Sequence, residues 1–354
     1  MEIQHGSLAV LILAGHNRGR TARAIEQEEK GLVSRIYREH FIIGRNKSLL
    51  TLNKPPEGNH STILSMLHSV WRDRGERKLA APETVGTSLE KIIEACQQSI
   101  YINKMEIYPI GPKSRIQRIV KDERIHIQQQ GNDLQGNIRL GMNALHNGSF
   151  YDQEYLLIIS GDAPLVTGNE IDIFVENSKK RGIEGVEMYA AVVSRKDLAT
   201  FVTRQDLVAY GIPRFNDYPL LLPLSFLPGN NLKKFGVPLN DKENVLTGRG
   251  IDMYMSGNMF LVQTNAVDGK SDMTNILYSG KRIVGEVYQK NGIRGLWNLG
   301  KGNWSVVEAE QMFGEEKGIH GRMVLVPPQC GLDIDTWKDR MRCSAYLFRQ
   351  KESQ

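Results

Sequence analysis

Three short apolar runs, each stopped by small or turn-forming residues, constrain this chain most. Leu8–Leu13 ends at Ala14-Gly15, residues 106–110 end at Gly111-Pro112, and residues 155–159 end at Ser160-Gly161-Asp162. Such runs are short for helices and lack the alternation of a half-exposed strand, so they read as strands buried on both faces. Residues 188–193, 259–262 and 323–326 are further candidates. Helical periods lie between them. Residues 61–72 set Ile63, Leu64, Leu67, Val70 and Trp71 on one stripe, and residues 134–145 do so with Leu134, Ile138, Met142 and Leu145. Thr167-Gly168-Asn169-Glu170, ahead of Ile171, Phe174 and Val175, reads as a capped helix start. Buried strands alternating with helices predict an α/β chain: a three-layer, Rossmann-like, mostly parallel sheet with helices on both faces. Ligands in such sheets sit at the carboxyl ends of the strands, which directs attention to Ala14, Gly111 and Asp162.

The whole span 1–354 reads as a single domain with a loop-rich insertion at about 200–255. Prolines 213, 219, 223 and 228 exclude a regular helix there. The Leu/Pro-rich stretch 218–228 is read as a plain loop, or else as a lid or subunit contact, which leaves a homo-oligomer open. The balance of 45 Lys+Arg against 40 Asp+Glu gives a formal charge of +5, enough for an anionic small molecule but too weak to argue for nucleic acid. Cys96, Cys330 and Cys343 lie far apart without metal-ligand spacing, so neither a disulfide framework nor a structural zinc site is expected. The apolar run near the start is too short for a signal peptide, and no window approaches 18 apolar residues. The expectation is a soluble, cytoplasmic protein with no membrane partner.

Three segments could carry chemistry. Ala14-Gly15-His16-Asn17-Arg18-Gly19-Arg20 follows the first strand; its backbone amides could cradle phosphate oxygens, and Arg18, Arg20 and Arg23 would add charge for a polyphosphate. It is neither a G-x-G-x-x-G fingerprint nor a P-loop, and a plain strand–helix connection is the other reading. In Ser160-Gly161-Asp162-Ala163-Pro164-Leu165, an Asp leaving a strand points a carboxylate off the sheet edge, where it could bind a hard divalent cation such as Mg2+ or cap the following helix. In Gly331-Leu332-Asp333-Ile334-Asp335-Thr336, one carboxylate could be a second metal ligand; otherwise the segment is a cap for the last helix.

The order of these motifs resembles the MobA-like nucleotidyltransferases, a superfamily that includes molybdenum cofactor guanylyltransferase, the cytidylyltransferases and sugar-1-phosphate nucleotidyltransferases. The resemblance rests on Leu13-Ala14-Gly15 after the first strand, Lys47-Ser48-Leu49-Leu50, Gly111-Pro112-Lys113, the Gly-Asp-x-Pro-Leu strand end at 161–165 and the late Asp333-Ile334-Asp335-Thr336. It covers most of residues 8–195 and returns at about 255–345. It implies a GT-A-type fold, an NTP, Mg2+, and transfer of NMP to a phosphorylated small-molecule acceptor with release of pyrophosphate. By the same resemblance, Ala14, Gly15, His16, Asn17 and Arg18 would bind the triphosphate with Arg23, and Lys47 would contact phosphates or acceptor. Gln130 and Gly131, leading to Asn137, would read base and ribose, and Asp162 and Asp335 would hold the metal.

The chain departs from the family in two places. His16 stands where the first loop usually has a second glycine, and the gap from Gly15 to Lys47 is long, so Lys30 is a rival for the lysine role. Lys47 is preferred because Leu49, Leu50 and Leu52 look like a continuing strand. A nucleotide-sugar glycosyltransferase of the same fold is one alternative, although Gly161-Asp162-Ala163-Pro164 lacks the expected Asp-x-Asp. An inactive nucleotide-binding module is the other.

Overall fold

The computed structural model describes residues 3–14, 47–54, 83–146, 154–182, 185–205, 237–241, 243, 245–269, 304–317, 320–335 and 337–353. Numbered in chain order among these residues, the strands are β1 (Leu8–Leu13), β2 (Thr51–Asn53), β3 (Thr84–Thr87), β4 (Ile102–Gly111), β5 (Gln128–Gln129), β6 (Tyr155–Ser160), β7 (Met188–Ser194), β8 (Val237–Asp241), β9 (Gly250–Gln263) and β10 (Gly321–Leu325). The helices are α1 (Ser88–Gln98), α2 (Lys113–Ile119), α3 (Leu134–His146), α4 (Gly168–Lys180), α5 (Arg195–Arg204), α6 (Thr264–Gly269), α7 (Val306–Lys317) and α8 (Trp337–Glu352). Two 3-10 turns, Lys47–Leu49 and Pro328–Gly331, complete the set.

One mixed sheet organises the molecule, in the order β10-β7-β9-β6-β1-β4-β5, with β8 added along β9; β2 and β3 pair separately. β1 is parallel to both β4 and β6, and β10 is parallel to β7. β9 runs against β6, β7 and β8, so every other strand of the sheet points the same way. The carboxyl ends of β1, β4, β6, β7 and β10 therefore lie along one edge.

Both faces of the sheet are dry, as the unbroken apolar runs require. Val10, Ile12, Leu157 and Ile159 pack in one core with Leu89, Ile92, Ile171 and Phe174 of α1 and α4. Their neighbours Ala9, Leu11, Leu156 and Ile158 pack in a second core with Ile138, Met142 and Leu145 of α3. This alternation is the period-two geometry of a strand, and with α1 and α4 on one side and α3 on the other it makes the three layers of a Rossmann-like α/β fold.

The helix predicted to start at Thr167 does so: its amide donates to Glu170 Oε2 at 2.9 Å, half of a capping box. α1 begins in the same way, with Thr87 N–H donating to Glu90 Oε2 at 2.6 Å and Glu90 N–H to Thr87 Oγ1 at 3.3 Å. Within the span 200–255 expected to be loop-rich, α5 continues to Arg204, and β8 and β9 supply regular structure at 237–241 and from Gly250. The proline-rich stretch 218–228 and the helical stripe at 61–72 lie outside the described residues. Residues 49–52 are not the continuous strand expected from their leucines: Leu49 closes the 3-10 turn and only Thr51–Asn53 is extended. All three cysteines are free and buried. No helix among the described residues is long and apolar enough to cross a membrane.

Candidate functional site

The strand ends that the sequence marks as glycine-rich meet at Ala14. Ala14 N–H donates to Ile110 O at 2.9 Å, and Gly161 N–H donates to Leu13 O at 3.1 Å, so the exits of β4, β1 and β6 lie side by side. There is no room here for larger residues. A Cβ on Gly111 would lie 3.0 Å from Ala14 O, and one on Gly161 would lie 3.1 Å from Ala14 Cα and 2.9 Å from Ser48 Oγ. The last contact places the 3-10 turn Lys47–Leu49 directly against the end of β6. The amino end of α1 closes the same corner, with Ser88 Oγ donating to Gly161 O at 2.8 Å.

The acidic segment reaches this corner from the far side of the sheet. After β10, Val326 N–H donates to Val192 O of β7 at 3.0 Å, and the chain then passes over the middle of β9. Asn258 Nδ2 donates to Cys330 O at 2.8 Å. At the far end, Ile334 N–H donates to Asp162 O at 2.9 Å. Asp333 and Asp335 are thus delivered beside Asp162, although Asp335 N–H donates to Asp333 O at 3.2 Å and the segment is a tight turn rather than an extended pair.

Lys47 Nζ donates to Asp335 Oδ1, and both side chains are partly buried. Burial works against the Lys47 ammonium, but Asp335, Asp162 and Asp333 together outweigh it and hold its pKa above the ordinary lysine value. Ser160 Oγ in turn donates to Asp162 Oδ1. The corner therefore concentrates negative charge and already draws in one cation. Among the described residues no group of three or more His, Cys, Asp or Glu side chains could enclose a metal by itself. Two hard carboxylate oxygens are nevertheless a fitting donor set for an ion that keeps water and phosphate oxygens in its shell.

The other predicted cluster lies across β1, at the end of β4. Gln130 N–H donates to Gly111 O at 2.8 Å, which continues β5 alongside β4. Asn137, in the first turn of α3, accepts Gly131 N–H on Oδ1 at 2.7 Å. Gln130 and Asn137 are both buried. Lys47, Asp162 and Asp335 thus gather on one side of Ala14, and Gln130, Gly131 and Asn137 on the other. Gly15, His16, Asn17, Arg18 and Arg23, with the rival Lys30, lie outside the described residues. Sequence reasoning passed over Ser48, Ser88 and Asn258. Thr87-x-x-Glu90 would have placed Ser88 at a helix start, and Gly257 inside a strand signals a bulge beside Asn258.

The chain is similar in fold to a hypothetical transferase from Thermus thermophilus, with a TM-score of 0.50 and 13% identity over 94% of this chain and 99% of that one. At that identity the likeness is one of fold. Two weaker likenesses, which add nothing to the argument, are CMP:2-keto-3-deoxy-manno-octonic acid synthetase complexed with CTP and 4-diphosphocytidyl-2C-methyl-D-erythritol synthase from Anaerococcus prevotii. The first has a TM-score of 0.44, 9% identity, and covers 78% of this chain and 95% of that one. The second has a TM-score of 0.38, 12% identity, and covers 75% of this chain and 88% of that one. No protein-family model and no curated protein sequence matches the chain.

Proposed function

We propose that this protein is a nucleotidyltransferase that moves NMP from an NTP to a phosphorylated small-molecule acceptor, releasing pyrophosphate. The observation that carries the reading is the convergence of Lys47, Asp162 and Asp335, from three distant parts of the chain, at the edge where such folds bind ligands. Asp162 and Asp335 would hold Mg2+, which when bound would neutralise charge on the triphosphate and on the departing pyrophosphate.

The acceptor needs little help to react. A phosphate monoester has a second pKa near 6 and is largely dianionic at neutral pH, so its oxygen attacks the α-phosphorus without a general base. What the protein must supply is charge compensation and alignment. Lys47 is suited to the first task, since its acidic neighbours keep it protonated and its turn is packed against Gly161. Ala14 and the residues after it, with Arg18 and Arg23, would hold the triphosphate. Gln130, Gly131 and Asn137 would take the base and ribose. Gln and Asn amides both donate and accept, so the choice of base does not follow from them.

Purified protein incubated with each NTP, Mg2+ and a panel of phosphorylated acceptors should release pyrophosphate with one nucleotide preferred. Transfer of sugar from a nucleotide-sugar, with no pyrophosphate from any NTP, would instead favour the glycosyltransferase alternative. Binding without turnover would favour the inactive module.

A further inference from the structure

We infer that Asn258 is a positioning residue: its amide pins the crossing segment 326–335 so that Asp335 arrives beside Asp162. The inference rests on the nucleotidyl-transfer reading for its kinetic consequence, and on the hydrogen bonds alone for its structural one.

Two features single Asn258 out. It is the one non-glycine residue with positive φ among the described residues, at 61°, and it is buried. β9 holds Met259 opposite Ile159 of β6, yet its pairing with β7 slips between Phe260 opposite Ala190 and Ser256 opposite Val192. The extra residues at 257–259 form a bulge. Gly257 allows it, since a Cβ there would come 2.7 Å from Val326 Cγ2 and 2.9 Å from Ala191 Cβ. A bulge beside a functional edge commonly re-aims one side chain. Here the side chain that turns is Asn258, and left-handed backbone costs Asn less than most residues.

The amide of Asn258 reaches the segment at its midpoint. Upstream, Val326 N–H is tied to Val192 O; downstream, Ile334 N–H is tied to Asp162 O. Between these anchors Asn258 Nδ2 holds Cys330 O, and Gln329 Nε2 donates to Glu170 Oε1 at 2.7 Å. Cys330 O is buried chain, so without the amide it would need another donor. Asn258 acts through the segment's path, by its bond to Cys330 O. Groups that orient ligating carboxylates in this way typically change metal affinity by about 10–100-fold when removed.

Asn258→Gly keeps the left-handed backbone and removes only the amide, and Asn258→Asp keeps the shape but turns an acceptor toward Cys330 O. Asn258→Gly should stay folded with a modestly lower Tm, and Asn258→Asp should melt lower still, because its carboxylate faces a buried carbonyl oxygen. Hydrogen exchange should rise selectively in peptides covering 328–335, with Asn258→Asp the worse. Mn2+ titrations followed by EPR should show affinity reduced about tenfold or more. In the pyrophosphate assay the half-saturating Mg2+ should rise similarly while KM for the NTP stays near wild type. Unchanged exchange and metal affinity in both variants would overturn the inference. So would exchange that rises equally through β6, β7 and β9, which would make Asn258 a support of the sheet. If the wild type binds Mn2+ but releases no pyrophosphate with any NTP, the functional reading fails while the exchange and EPR results still decide the role of Asn258.

Discussion

Lys47 and Asp335, 288 positions apart in the chain, form an ion pair at the carboxyl edge of the sheet. The pair holds the 3-10 turn Lys47–Leu49 against the segment that follows β10. It also places the ammonium where a divalent ion bound by Asp162 and Asp335 would act. Lysine and metal would then compensate the same negative charge.

Lys47→Met should make this competition visible. Removing the ammonium takes a positive charge from beside Asp162, Asp333 and Asp335, and stability without divalent ions should fall by roughly 1–3 kcal/mol. Mg2+ should then raise Tm more in the variant than in the wild type, because it binds the folded carboxylates alone. The folded pKa of Lys47 is raised, so its contribution is complete below the ordinary lysine value near 10.4 and is lost only as pH rises through the folded value. Thermal melts in EDTA and in Mg2+ between pH 6 and pH 9 test this. Equal Mg2+ effects in the two proteins would show that Lys47 does not share the carboxylates with a metal.

Asp162→Asn and Asp335→Asn should each reduce pyrophosphate release on the order of 10²-fold or more, with little further loss in the double variant. Folding should survive, because Asp162 anchors Ile334 through its main-chain carbonyl and the substitution leaves that bond intact. Circular dichroism alongside the kinetics separates the two effects. Additive losses in the double variant would mean that the carboxylates do not serve one ion.

Much of this edge could be read from sequence because its causes are local. Apolar runs ending in Ala14, Gly111 and Gly161 specify buried strands, and the contacts at Gly111 and Gly161 explain why small residues stand there. What could not be read is what depends on distant partners. The spacing of Lys47 and Asp335 says nothing of their meeting; only the order of family-like motifs suggested it. Residues 49–52 read as a strand from their leucines, but Ser48 packs against Gly161 and Leu50 N–H donates to Lys47 O at 3.2 Å, which closes a turn there instead. β9 is longer than its apolar stretch 259–262, because its first half pairs with β7 and β8 rather than filling the central core.

Asp241 should make the protein acid-sensitive at a point away from the corner of Lys47 and Asp335. Its buried carboxylate accepts the amides of Val245 at 2.9 Å, Leu246 at 3.1 Å and Gly248 at 2.8 Å, with Thr247 as a further donor. Burial alone would raise its pKa, but the four amides outweigh it and hold the value below the ordinary aspartate range. A depressed folded pKa contributes stability above the unfolded value near 3.9, and that stability is lost as pH falls through the folded value. Asp241→Asn should cost about 1–3 kcal/mol at pH 7, because one of its two oxygens becomes a donor facing donors. Urea unfolding at pH 7 and at pH 3 should show this difference shrinking in acid; a constant difference would mean that the carboxylate's charge is not what the loop uses.

Asn137 gives a test on the side proposed for the nucleotide. Its Oδ1 accepts Gly131 N–H at 2.7 Å, and its main-chain N–H donates to Asp133 O at 3.1 Å as α3 begins. The side chain therefore shapes the Gln130-Gly131 turn, whatever it also offers to a base. Asn137→Asp keeps an acceptor for Gly131, whereas Asn137→Ala leaves that amide without its partner, a loss of about 1 kcal/mol or more. KM for the preferred NTP should rise roughly fivefold to tenfold in the alanine variant, with kcat little changed, since the turn lies across β1 from Lys47 and Asp162. The aspartate variant should stay closer to wild type if shaping is the main role. If it instead loses nucleotide affinity as badly as alanine, the amide Nδ2 must be reading the base directly, and the preferred NTP should shift with it.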